Sequence, residues 1–204
     1  MDIVRNQILE EAHALYTRYG LKSVSMDDVA RKVGISKKTL YQHFAKKEDL
    51  IKEVMQCNYE QDLEHFSTSM NESTDAIDEF LRNSRYFVRE MRQISPTLFY
   101  DMQKYYGNIW LEQTQAHMGY FEKSIQENIM RGVEEGLYRE DLIPSVITRI
   151  YQSTVMALMD TSLFPAHEIS LDRIIQQQSL YHLYGIITPA GRNRLLEHLE
   201  REQL

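Results

Sequence analysis

The sequence predicts an all-α protein, with a small N-terminal three-helix unit followed by a larger helical domain. Three observations carry this. Apolar residues recur at three- and four-residue spacing along most of the chain, as on one face of a helix. Only four prolines and eight glycines occur in 204 residues, too few for the many tight turns of an all-β fold. Tyrosine and valine are present but not in the period-two runs of a half-buried strand.

The elements follow in order. A first helix is expected over 3–19, where Ile8, Ala12, Leu15, Tyr16 and Tyr19 share a face and Gly20 closes the helix. Ser25 then stands three residues before Asp28, a capping-box spacing, and Asp27 and Asp28 suit the positive end of a helix dipole. This second helix is short and stops at Val33-Gly34. Ser36 caps a third helix from Lys37 to Phe44, and a fourth starts near Lys47 and runs towards Phe66. Further helices are expected near 74–94, 97–106, 108–135, 144–164, 170–185 and 189–202. Pro96, Pro144 and Pro189 each sit where a first helical turn tolerates proline. The domains expected are 1–48 and 49–204.

Composition narrows the function. The chain has a net charge of −7, which argues against a nonspecific nucleic-acid coat. The charge is uneven. Residues 1–55 carry ten Lys/Arg and eight Asp/Glu, whereas residues 56–204 carry 13 and 22. Arg31, Lys32, Lys37, Lys38, Lys46 and Lys47 crowd between Val29 and Lys47 with no acid among them. An acidic body with one basic end suits a protein that touches a polyanion there, although a merely solvated lysine-rich surface would read the same way. No apolar run reaches the ~20 residues of a membrane span, and the N-terminus lacks an apolar signal core, so the expected location is the cytoplasm. The lone Cys57 excludes an intrachain disulfide. The seven histidines, His13, His43, His65, His117, His167, His182 and His198, show no metal-ligand spacing, and no nucleophile motif or Gly-rich phosphate loop occurs. Neither an enzyme, a metal site nor a cofactor is expected.

The segment from Ser25 to Lys47 carries the functional signal. Val29, Ala30 and Val33 give the second helix an apolar side, Ile35 enters the core at the turn, and Leu40 and Phe44 lie four apart on the third helix. The opposite face of that third helix then centres on Lys38 and Gln42, with Lys37 and Tyr41 on one flank and Thr39 and His43 on the other. A helix of this width fits the DNA major groove, where Lys reads guanine and Gln reads adenine while flanking groups meet phosphates. Solvation alone explains the lysines but leaves the Tyr41 ring facing water.

Residues 5–54 resemble the tetracycline-repressor-like (TetR) family of transcriptional regulators. The resemblance lies in Ile8, Ala12, Leu15, Tyr16 and Gly20, in 25–30, 33–37 and 39–44, and in Lys47-Glu48-Asp49-Leu50. It implies a helix-turn-helix in which Ser25 and Met26 start the second helix against the DNA backbone. Ser36, Lys37, Thr39, Tyr41 and His43 hold recognition-helix positions, and Lys47 meets a phosphate. Lys38 stands where a small residue is common and adds a contact, as does Lys46 where a capping residue is common. The C-terminal half resembles the family in layout and in the stretch 132–142. That implies a homodimer built on the helices near 144–164 and 170–185, which are apolar over more than one stripe; a thick monomer core is the alternative reading. It also implies a pocket for a small, largely apolar effector, for which Tyr86, Met91, Met102, Tyr105, Tyr106, Trp110 and Phe121 supply adaptable side chains. Helix 4 is the expected lever between effector and DNA. The function implied is a repressor of an inverted-repeat operator on double-stranded DNA, against the alternative of an effector-independent DNA-structuring protein.

Overall fold

The computed structural model describes residues 3–158, 163–164 and 169–201. The fold is all-α. The described residues contain ten helices: α1 (Ile3–Tyr19), α2 (Met26–Val33), α3 (Lys37–His43), α4 (Lys47–Glu72), α5 (Ala76–Gln93), α6 (Pro96–Tyr105), α7 (Gly107–Glu134), α8 (Pro144–Ala157), α9 (Leu171–Ile186) and α10 (Pro189–Arg201). An antiparallel bridge between Tyr138 and Ile187 is the one strand-like pairing among the described residues.

Two boundaries differ from the sequence reading. α4 continues to Glu72 instead of stopping near Phe66, because the break is set further on. There Asp75 accepts from the amides of Ile77 (3.1 Å) and Asp78 (2.9 Å) and so caps α5. α8 ends at Ala157, and residues 163 and 164 lie in a turn, so the expected helix to 164 is shorter. Met159, Pro165 and His167 lie outside the described residues.

The chain divides into two compact units, Met1–Leu63 with Gln93–Met118, and Glu64–Arg92 with Gly119–Leu204. The first is built on one core. Ile8, Ala12 and Tyr16 of α1 meet Val29 and Ala30 of α2, Leu40 of α3 and Phe44. Leu50, Ile51 and Val54 of α4 and Leu98 and Met102 of α6 belong to the same cluster, so the N-terminal helices pack on more chain than 1–48. Arg5 pairs with Glu53 (Nη2 to Oε2, 2.6 Å) and lays its guanidinium 4.6 Å from the Phe44 ring centre, fixing α1 on α4.

The second unit centres on Ala76, Ile77, Phe80, Ile125, Ile129, Tyr138, Tyr151, Leu183 and Leu195. Its buried charges are paired. Arg131 donates to the Ser73 hydroxyl (2.7 Å), to Glu79 (3.0 Å) and to Glu135 (2.7 Å). Burial pushes the Glu79 carboxyl up despite those bonds. Asp75 receives Arg194 Nε at 2.8 Å and lies 2.9 Å from His198 Nε2. By contrast, α8 exposes Val146, Ile150 and Met156, and α9 exposes Tyr184 and Tyr181, the last at 83%. No helix among the described residues is long and apolar enough to cross a membrane.

One buried group carries a stability prediction. The His182 ring lies 4.4 Å from Tyr151 and 5.3 Å from Phe80, centre to centre, and its Nε2 has no hydrogen-bond partner among the described residues. Burial lowers its pKa from 6.5 to about 4. The unfolded chain therefore takes up a proton that the folded chain refuses, and stability falls as pH drops from about 6.5 towards 4. The loss is on the order of 3 kcal/mol. His182→Phe should remove this part of the acid sensitivity, read as urea midpoints at pH 7.5 and 4.5; an unchanged pH dependence would contradict it.

Candidate nucleic-acid interface

The site is assembled from two short helices that their own ends define. The Ser25 hydroxyl accepts from the Asp28 amide (3.2 Å), and the Ser25 amide donates back to the Asp28 carboxylate (2.9 Å), completing the capping box. These bonds to Ser25 hold the Asp28 pKa below the usual range. α2 stops because Gly34 takes φ +81°, a left-handed conformation that a side chain disfavours, with its amide on Ala30 and Arg31 carbonyls. Ile35 bonds the Ala30 carbonyl as well (3.0 Å) and turns the chain into the core. Ser36 then caps α3 on the Thr39 amide at 3.0 Å and touches its hydroxyl at 2.8 Å.

α3 buries Leu40, and Phe44 just beyond it, completely or nearly so. Its outer face carries Lys37, Lys38, Tyr41 and Gln42 exposed, with Thr39 and His43 half-buried at the edge. Tyr41 is 42% exposed, an unusual position for a large ring without a partner surface. Lys37 Nζ reaches Asp27 at 2.8 Å and lies 6.0 Å from the Tyr41 ring centre. The bond to Asp27 raises the Lys37 pKa. Lys38 is exposed and has no ion-pair partner among the described residues. Ser25, Ser36 and Lys46 are exposed too, Lys46 at 3.9 Å from Asp49.

Two of the expected contact residues are placed differently from the rest. The Met26 side chain is 6% exposed and belongs to the core, which leaves only its backbone near the surface of the first turn. Lys47 is half-buried. Its ammonium donates to the carbonyls of Leu21 and Val24 and lies 5.8 Å from the Tyr16 ring centre. Desolvation lowers its pKa.

The sequence reading missed the contact of α6 with the α1–α2 connection. The Ser95 amide donates to the Thr17 carbonyl (2.7 Å), and Asp101 accepts from the Lys22 amide (2.8 Å). Lys22 Nζ reaches the Tyr105 hydroxyl at 3.1 Å. Gly20, at φ +80°, makes this approach possible: a Cβ there would lie 2.6 Å from the Thr97 hydroxyl. These pairings span about eighty residues, which no local periodicity reveals.

The seven expected pocket residues do not form one group. Met102, Tyr105, Tyr106 and Trp110 belong to the first unit, where Met102 is core and Tyr105 is exposed beside Lys22. Tyr86, Met91 and Phe121 belong to the second. Phe121 stands 6.0 Å from Tyr151 and 6.4 Å from Phe66, and Tyr86 is 6.3 Å from Phe66, ring centre to ring centre.

Residues 8–54 match the model of the tetR family of bacterial regulatory proteins. An HTH-type transcriptional regulator of Staphylococcus aureus strain USA300 is 39% identical over 62 residues, which is 30% of this chain and 34% of that protein. The counterpart in strain N315 matches equally, so the chain spans about a third of the length of the curated relatives it matches. Among solved structures, a transcriptional regulator from Cytophaga hutchinsonii has a TM-score of 0.76 at 17% identity, covering 90% of this chain and 98% of that one. A TetR-family regulator from Agrobacterium tumefaciens scores 0.74 at 17% identity, over 91% and 98%. A regulator from Saccharomonospora viridis, solved in complex with choline, scores 0.74 at 18% identity, over 92% and 100%. At these identities the likeness to the solved structures is one of fold.

The placement of Lys47 predicts a division between the lysines. Lys47→Met leaves the Leu21 and Val24 carbonyls without their charged donor and should lower stability by ~1–3 kcal/mol. Lys38→Ala, on the open face, should stay within ~0.5 kcal/mol of the parent. Denaturant midpoints of both variants check this, and equal midpoints would show that the Lys47 ammonium holds nothing.

Proposed function

Because the chain carries the DNA-binding module of the tetR family of bacterial regulatory proteins over residues 8–54, we propose that it is a DNA-binding transcriptional regulator. The reading is of a repressor released from an inverted-repeat operator by a small, largely apolar ligand. The observation that carries it is the outer face of α3: Lys37, Lys38, Tyr41 and Gln42 stand exposed while Leu40 and Phe44 fix the helix from behind. Lys38 and Gln42 at its centre are the base readers. Lys37, Thr39, Tyr41 and His43, with Ser25, Ser36 and Lys46 around them, set the register on phosphates. Lys47 contributes mainly by holding the loop at Leu21 and Val24 in place.

Homodimerisation is supported by Val146, Ile150 and Met156 on α8 and Tyr181 and Tyr184 on α9, apolar side chains left in water by a single chain. Two such modules on a two-fold axis require half-sites about one helical turn apart, or a multiple of it. A small-molecule effector is supported by the choline complex of the Saccharomonospora viridis regulator, which has the same fold. A ligand acts only through differential affinity for two conformations. Within the first unit, α6 offers a route for that difference, since Ser95, Asp101 and Tyr105 bond directly to the connection between α1 and α2. A shift of α6 re-aims the helix-turn-helix.

The reading predicts that selection from random duplexes enriches a two-fold symmetric site. Lys38→Ala or Gln42→Ala should relax preference at individual positions by ~1–3 kcal/mol, whereas Tyr41→Ala weakens binding to all sequences. Log affinity should fall steeply with log salt, by roughly one unit for each phosphate neutralised. Fluorescence anisotropy on the selected duplex measures both. No enrichment, or a flat salt dependence, would refute the reading.

A second prediction concerns α6. An effector found by thermal-shift screening should weaken operator binding several-fold to over a hundredfold, for a coupling of ~1–3 kcal/mol. Operator DNA should weaken effector binding by the same factor. Asp101→Ala, which cuts the bond to Lys22, should shrink that factor while leaving effector affinity in the absence of DNA unchanged. An undiminished factor in the variant would remove α6 from the route.

A further inference from the structure

The second unit contains a depression of about 480 Å3 that the DNA-binding role does not use. Thr74, Asp78, Arg82, Arg85, His198 and Arg201 line it. Three guanidinium groups face one carboxylate. This runs against the surroundings, since residues 56–204 carry 22 acids and only 13 Lys/Arg.

The nearby acids are already committed. Asp78 accepts from the Thr74 amide (2.9 Å), the Thr74 hydroxyl (3.3 Å) and Arg82 Nε (3.0 Å). Asp75 is held by Arg194, His198 and the first amides of α5. Glu72 is 3.7 Å from Arg82. Arg201, at the end of α10, has no ion-pair partner among the described residues. Desolvation lowers the Arg85 pKa and the charge of Arg82 adds to it, with Asp78 opposing. Partly desolvated, mutually repelling guanidinium groups are favourable only if an anion offsets them.

We propose that this depression is a binding site for a small phosphate-bearing molecule, held by Arg82, Arg85 and Arg201. The excess of two positive charges matches a phosphate monoester dianion better than a carboxylate monoanion. The planar guanidinium fork pairs two oxygens of one phosphate at once. The volume exceeds that of a bare phosphate and falls in the range of small-molecule sites, leaving room for an organic group beside it. His198, fixed through Nε2 by Asp75, closes one wall, and Thr74 closes another. The site lies wholly within the second unit and does not depend on the DNA-binding reading.

The test is calorimetric titration of the full chain at constant ionic strength with inorganic phosphate, phenyl phosphate, benzoate and phenol. Both phosphates should bind saturably, with phenyl phosphate at least tenfold tighter than benzoate and phenol silent. Arg85→Gln with Arg201→Gln, which leaves the Arg82–Asp78 pair intact, should weaken phenyl phosphate tenfold or more. Arg201→Gln alone, at the end of the last helix, serves if the double variant fails to fold. Lys123→Gln, an exposed lysine on α7 outside the depression, should change nothing. No saturable binding, equal affinity for benzoate, or an arginine variant that binds as the parent does would each overturn the proposal. So would an equal loss with Lys123→Gln, which would reduce the effect to general charge.

Discussion

A seven-residue helix does not persist in water by itself, since helices shorter than about 12–15 residues rarely repay the nucleation of their first turn. α3 has seven residues, so its position is imposed from outside. Leu40 and Phe44 bury one face, Ser36 holds the first turn, and Lys37 ties the outer edge back to Asp27. Everything proposed for DNA depends on this arrangement. Side chains that must reach base edges need a backbone that does not move, and α3 borrows its rigidity from a core that α1, α2, α4 and α6 share.

The same core explains why the lysines of this region have different roles. Lys38 is spent on nothing inside the chain and is available to a polyanion. Lys47 is partly desolvated and spends its ammonium on the Leu21 and Val24 carbonyls, at the loop where Lys22 meets α6. The connection between α1 and α2 is thus gripped from two sides, by the start of α4 and by α6. A grip of this kind makes the orientation of the helix-turn-helix sensitive to whatever shifts α6, and Gly20 is the residue that allows so close an approach.

Much of this was legible in the sequence. Local signals were reliable where a single turn decides the structure: Ser25 with Asp28, Gly34, Ser36, and the four-residue step from Leu40 to Phe44 all stand as the pattern predicts. Burial of Met26 was not legible, because one methionine in a capping turn reads equally as surface or core. The inward turn of Lys47 was hidden for the same reason: charge predicts exposure until carbonyls close in space are known. The α6 contacts and the arginine-lined depression join residues far apart in sequence, and periodicity within either partner says nothing of them. The aromatic and methionine residues of the middle region were read as one pocket from composition alone, whereas they divide between two units with separate cores.

The central claim is that the face formed around α3 meets DNA. Amide hydrogen exchange of the full chain, with and without a duplex selected by it from a random pool, tests that claim most directly. The account predicts that added protection concentrates in residues 25–47, strongest through α3, and that a scrambled duplex at the same salt gives much less. Protection that falls elsewhere while 25–47 exchanges as in the DNA-free chain would contradict it.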